Sequence, residues 1–154
     1  MKRGFTIVEL LIVITVIAIL IGIALPRFRG MQEEGNVAKA AGELRGLAAA
    51  VESYYIHNSR QYPSQSAAVL TTWQSDITSA SPQIIGVALD DPFDAANEYR
   101  YATDAGTNSD YYVIFSVGPD GAADVTGISG AGGIQGTPDD DIYISNGTSG
   151  TGGF

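Results

Sequence analysis

Hydrophobic and polar positions divide the chain sharply near residue 26. From Phe5 to Leu25, 21 residues run with only Thr6, Glu9, Thr15 and Gly22 breaking an otherwise apolar series. As a helix rising ~1.5 Å per residue this segment is roughly 30 Å long, about one bilayer core. A soluble amphipathic helix would keep a polar face, and this one has none, so the pattern predicts a membrane-spanning helix. It does not read as a secretory signal peptide. The basic part is only Lys2 and Arg3, no A-x-A site follows the run, and a helical pattern continues past Pro26, Arg27 and Phe28.

Between Arg29 and His57 the apolar positions are Val37, Ala40, Ala41, Leu44, Leu47, Ala48, Val51, Tyr54 and Tyr55. Steps of three and four dominate, which predicts an amphipathic helix. Its other face carries Glu33, Glu34, Lys39, Glu43, Arg45 and Glu52. One long helix is therefore expected from Phe5 to about His57. Gly22, Gly30 and Gly35 each cost ~1 kcal/mol against alanine in a helix interior. With Pro26 they make Gly22 to Gly35 its weakest stretch, the place where the helix is expected to bend or unwind.

After a break at Asn58 to Pro63, Ser66 to Ile77 reads as a short helix with Leu70, Trp73 and Ile77 on one side. Thr78 to Pro82 reads as a loop. Strand patterns follow at Ile84–Leu89 weakly, Glu98–Thr103 clearly, Tyr111–Val117 most strongly, and Asp141–Ser145. Asp104 to Asp110 is a turn segment, so the two strong strands are expected to form an antiparallel hairpin. The glycine-, serine- and threonine-rich tail from Asn146 to Gly153 reads as mobile. No internal repeat is present. The expected class is α+β, with a long helical spine packed on a small antiparallel sheet.

Charge sharpens this division. Lys2, Arg3, Arg27 and Arg29 flank the apolar run; from Met31 onward four basic residues face sixteen acidic ones, a net −12. So acidic a body argues against nucleic acid as the main partner and leaves room for a hard cation. The basic flanks tie, so charge alone does not orient the span. There is no cysteine, which excludes disulfides, thiolate metal sites and thiol catalysis. His57, the one histidine, reads as a helix-end residue, where a cation suits the dipole. The eight tyrosines sit where core and strand faces favour aromatics. Paired carboxylates such as Asp90-Asp91 lie in loops with no visible apolar pocket, and no catalytic constellation is legible.

Glu9 is the exception inside the apolar run, since a carboxylate in hydrocarbon costs at least ~2.5 kcal/mol. Either it lies shallow and reaches the headgroups, or it meets a positive charge from a neighbour. The segment Gly4-Phe5-Thr6-Ile7-Val8-Glu9-Leu10-Leu11-Ile12-Val13 resembles the cleavage-and-methylation signature of type IV pilins and type II secretion pseudopilins. The resemblance implies that a prepilin peptidase removes residues 1–4 by cutting after Gly4, and that Phe5 is then N-methylated. It places the family's glutamate on Glu9, where it would attract the terminal amine of the adjacent subunit. The helix-breaking proline falls on Pro26. Residues 5–29 would then be the membrane and filament-core half of the helix, and residues 30–154 a pilin-like globular domain outside the cytoplasm.

Between the last two strands lies Ser116-Val117-Gly118-Pro119-Asp120-Gly121, then a glycine-rich stretch, then Pro138-Asp139-Asp140-Asp141-Ile142. Carboxylates and turn glycines suit an oxygen-ligated calcium site, but the spacing is not that of an EF-hand, and composition alone favours a solvated acidic loop. This region, with Asp91-Pro92-Phe93 and Asn97-Glu98-Tyr99-Arg100-Tyr101, looks like the C-terminal half of the major pseudopilin of type II secretion. The resemblance implies calcium ligands among Asp120, Asp139, Asp140 and Asp141, with the Val117 carbonyl as a backbone ligand and Asp124 as a further candidate. Phe93 stands where tryptophan is frequent, and Ala122 to Thr137 is longer than that pattern. The function implied is a non-enzymatic filament subunit, assembled from the inner membrane with minor pseudopilins and an assembly platform. On this resemblance the filament would serve type II secretion from the periplasm. The alternative is a surface type IV pilus for adhesion, motility or DNA uptake.

Overall fold

A computed structural model describes residues 4–104, 109–148 and 150–153, with the side chains of residues 25–29 left aside. Lys2 and Arg3, the side chain of Pro26 and the centre of the turn between Asp104 and Asp110 lie outside the described residues. The chain divides into two compact units, one up to Gly35 and one from Asn36. A helical backbone, α1, spans Ile7–His57.

In the first unit, Ile7–Ala24 is long and apolar enough to cross a membrane, and none of it is buried. Ile7 is 84% and Leu20 61% exposed. The helix starts at Ile7, two residues later than the apolar pattern predicts, for a reason given with the site below.

The second unit is built in three layers. Its helical part ends in a last turn where His57 Nδ1 meets the Ser53 carbonyl at 2.8 Å. Ser59 and Arg60 then take positive φ, and the Arg60 N–H bonds the Tyr55 carbonyl at 3.0 Å, which closes the helix. The middle layer is an antiparallel sheet of β3 (Arg100–Thr103), β4 (Tyr112–Ser116), β7 (Ile142–Ser145) and β8 (Thr151–Gly152), in that order. Two smaller antiparallel pairs complete the strands. They are β1 (Asp90–Asp91) with β2 (Asp94–Glu98), and β5 (Val125–Ile128) with β6 (Ile134–Gly136).

Alternation along the sheet assigns its two faces. Tyr101, Tyr112, Ile114 and Ile142 join Ala40, Leu44, Leu47 and Val51 of α1 in one core. Ala102, Val113 and Phe115 join Val125 and Ile128 of β5 in a second. All five residues of β4 are buried, as expected of a strand covered on both sides. The expected hairpin is present: β3 pairs with β4 in register Arg100↔Phe115 to Thr103↔Tyr112.

Three expectations are corrected. Ser66 to Ile77 is not a helix; only Ser75–Thr78 is, as α2. Leu70 instead exchanges both backbone hydrogen bonds with Tyr101, at 2.7 and 3.0 Å. The open edge of β3 takes this segment, which its β-branched Val69, Thr71 and Thr72 suit better than a helix. Ile84–Leu89 is not a strand. The Gln74 amide acts as the partner of Leu89, donating to its carbonyl at 2.8 Å and accepting from its N–H at 2.8 Å. The tail is not free either, since β8 pairs with β7 through Tyr143↔Gly152 and Ile144↔Thr151. Glycine is needed there: a Cβ at Gly152 would lie 2.5 Å from the Tyr143 ring.

Candidate functional site

Two groups of residues carry chemistry, one in each unit. In the first unit, Thr6 is the N-cap of α1. Its carbonyl accepts the first helical bond, from the Leu10 N–H at 3.2 Å. Its hydroxyl accepts from the Glu9 N–H at 3.2 Å. Glu9 Oε2 reaches back to accept from the Thr6 N–H at 2.9 Å and the Thr6 hydroxyl at 2.8 Å. This reciprocal pair is a capping box, and it explains why the helix begins at Ile7. The Thr6 hydroxyl thus serves the cap, whereas the Thr15 hydroxyl bonds back into the helix, donating to the Leu11 carbonyl at 2.7 Å. Gly4 and Phe5 precede the cap in exposed, non-helical backbone. That leaves the Gly4–Phe5 bond accessible and the Phe5 nitrogen four residues from Glu9.

In the second unit, the acidic loop brings together Asp120, Asp124 and Asp140. Each offers a carboxylate oxygen within 4.8 Å of the others. The turn after β4 positions Asp120: the Gly121 N–H bonds the Gly118 carbonyl at 3.2 Å, and Asp120 Oδ1 accepts from the Ala122 N–H at 2.7 Å. Asp140 Oδ2 accepts from the Asp120 N–H at 2.8 Å, tying the two acidic segments together. The second oxygen of Asp140, Oδ1, is buried without a hydrogen-bond partner among the described residues. An unpaired buried acceptor beside two other carboxylates is a poor arrangement unless a cation completes it. Three carboxylates with no nitrogen or sulfur donor suit a hard divalent ion, so this group can hold a metal.

The neighbouring aspartates take different positions. Asp141 is 1% exposed, and its Oδ2 accepts from the Asp124 and Val125 N–H groups at 2.8 and 2.6 Å. Burial pushes its carboxyl up, those two bonds oppose the rise, and the charges of Asp124 and Asp140 add to it. Asp139 lines a surface depression with Asp124, Thr137 and Pro138. Val117 is fully buried, and its N–H donates to Asp91 Oδ2 at 3.0 Å. Neither Asp139 nor Asp141 belongs to the group of three, whereas Asp124 does.

The family described as Type II secretion system (T2SS), protein G matches residues 27–146, and the Prokaryotic N-terminal methylation motif matches residues 1–25. Type II secretion system core protein G of Dickeya chrysanthemi is 27% identical over 129 residues, covering 80% of this chain and 81% of that protein. Its counterpart in Klebsiella pneumoniae is 34% identical over 62 residues, 40% of this chain and 44% of that protein. Type IV major pilin protein PilE1 of Neisseria gonorrhoeae is 33% identical over 88 residues, 57% of this chain and 41% of the pilin. No solved structure matches. With its apolar span, its sheet packed on a helix and a match across most of its length, the chain belongs to the type II secretion system protein G family of pilin-like proteins.

Proposed function

We propose that this chain is the subunit of a short filament that rises from the inner membrane and serves type II protein secretion. One observation carries the reading: a methylation-motif segment over residues 1–25 is joined directly to a secretion-type body over residues 27–146. In this proposal a prepilin peptidase cuts after Gly4 and Phe5 becomes the methylated terminus. Glu9 sets the register by attracting the Phe5 amine of the next subunit. The exposed apolar helices leave the bilayer and pack against each other, with Pro26 allowing the helix to adjust. Minor pseudopilins and an assembly platform in the membrane are the partners.

Glu9→Ala is expected to block assembly while leaving cleavage intact, and normal filaments from that variant would sink the register role. Mass spectrometry of sheared filaments and of the cell envelope separates the two filament classes. A processed subunit starting at methylated Phe5 and confined to the envelope supports secretion. The same subunit abundant in the sheared fraction favours a surface pilus, the reading that the likeness to the gonococcal pilin motivates. An unprocessed Met1 terminus in both fractions would overturn the filament reading itself.

The proposed cation is calcium, held by Asp120, Asp124 and Asp140, with Asp139, Asp141 and the Val117 carbonyl as the further candidates. Calcium there would neutralise crowded carboxylates and fix the loop after β4 to the segment before β7. Asp120→Ala is therefore expected to lower the melting temperature in calcium and to change little in chelator. An equal loss in both conditions would refute the calcium role.

A further inference from the structure

We infer that Asp91 is a positioning residue for the cation loop, acting through Ser116 and the backbone of Val117 rather than by touching the ion. This rests on the calcium reading above. Asp91 is remote in sequence from Asp120, yet its carboxylate is fixed to the strand end from which that loop departs. Oδ1 accepts from the Ser116 hydroxyl at 2.7 Å and from the Phe93 N–H at 3.0 Å. Oδ2 accepts from the Val117 N–H at 3.0 Å. The residue is 1% exposed and all three donors are neutral. A carboxylate buried this deeply is costly to keep, and a nonpolar contact would join the two segments at lower cost.

What the carboxylate supplies is direction. It orients the Ser116 hydroxyl, whose oxygen accepts from the Gly118 N–H at 3.4 Å. Gly118 has φ +66°, and a Cβ there would lie 2.2 Å from the Asp140 carbonyl oxygen. Only glycine lets the backbone lie this close to Asp140 while turning. Two residues on, the Asp120 N–H holds Asp140 Oδ2 at 2.8 Å. A continuous chain of contacts thus runs from Asp91 through Ser116 and Gly118 to the facing carboxylates. The β1–β2 turn, the end of β4 and the segment before β7 are set by one buried group. Asparagine at 91 would present an amide N–H where one of the three donors now points.

Full-length protein in detergent tests this by calorimetric titration with calcium, alongside melting temperatures in calcium and in chelator. Asp91→Asn and Ser116→Ala are compared with Val51→Ala, which removes packing volume from the buried face of α1. Positioning predicts a calcium affinity weakened by about tenfold or more in Asp91→Asn, and by less in Ser116→Ala, which loses one bond of the relay. Val51→Ala is expected to melt lower in both conditions with wild-type affinity, so lost stability alone does not produce the effect. If wild-type protein binds calcium and folded Asp91→Asn binds it equally well, the positioning role is overturned while the calcium site stands. Should Asp91→Asn fail to fold, wild-type affinity in Ser116→Ala overturns it instead. Absence of binding by wild-type protein removes the calcium reading, and the positioning role with it.

Discussion

Thr6 brings its backbone N–H and its hydroxyl to a single oxygen of Glu9, at 2.9 and 2.8 Å. A carboxylate has two oxygens, so capping its own helix and attracting a neighbour's amine are compatible. The cap would also hold Glu9 in one rotamer before the neighbour arrives. Thr6→Ala removes the hydroxyl and should cost about 1 kcal/mol at the helix start. It is expected to reduce filament yield without blocking cleavage, whereas Thr6→Ser should assemble normally. Immunoblots of processed and filament fractions check this, and wild-type yield from Thr6→Ala would show that the cap is dispensable. The pattern Thr-x-x-Glu ahead of an apolar run was visible in the sequence. Hydropathy alone does not locate the first turn of such a run, which is why it predicts a start at Phe5 rather than Ile7. Consecutive aspartates posed a similar difficulty. Asp139, Asp140 and Asp141 are alike as letters, but Asp140 meets Asp120 while Asp141 turns to the N–H groups of Asp124 and Val125.

At the scale of elements, the glycine-rich stretch after Gly121 is a structural layer. β5 and β6 fold over the face of the sheet opposite α1, and Val125 and Ile128 pack on Ala102, Val113 and Phe115. The long helix, the β3–β4 hairpin and β7 were legible because their apolar periods extend over several turns or pairs. This hairpin was not, because strands of four and three residues interrupted by glycine resemble a loop. Gly136 shows why glycine is used: at φ +102° its Cβ would lie 2.0 Å from the Asp124 carbonyl oxygen. An indirect sign was available, since Tyr112 to Phe115 offers no polar position and so demands cover on both faces. Ile128 is 2% exposed, and Ile128→Ala should destabilise the protein by roughly 2–4 kcal/mol. Urea unfolding measures this, and a loss below about 0.5 kcal/mol would mean that the hairpin is not part of the core.

At the scale of the whole molecule, the core between α1 and the sheet sets a cluster of aromatic, mostly hydroxyl-bearing side chains among its aliphatic ones. Trp73 stacks on Tyr101 at 4.5 Å, and Tyr62 links Tyr55 at 4.5 Å to Tyr112 at 5.1 Å. Tyr99 donates to Glu43 Oε2 at 2.6 Å, so Glu43 faces the sheet although its spacing placed it on the polar side of the helix. Burial is the largest cause raising the phenol pKa of Tyr62, Tyr99, Tyr101 and Tyr112, and nearby acidic or phenolic groups add to it. The sign of the linkage follows. Below about pH 10 these groups are protonated in folded and unfolded chains alike, and their contribution to stability is fully present. Above it the unfolded chain ionises while the folded one resists, so stability falls as pH rises. Tyrosinate absorbance from these four should therefore appear only with unfolding. Ionisation of all eight tyrosines in protein that keeps its circular dichroism would contradict this. Tyr101 sharpens the test, because its hydroxyl is buried with no hydrogen-bond partner among the described residues. Tyr101→Phe removes both an unsatisfied polar atom and a group that cannot ionise in place. It is expected to raise stability at neutral pH by about 1 kcal/mol and to flatten the alkaline decline. Loss of stability on that substitution would mean that the hydroxyl has a partner in the folded protein and that the aromatic core is tighter than its hydrogen bonds indicate.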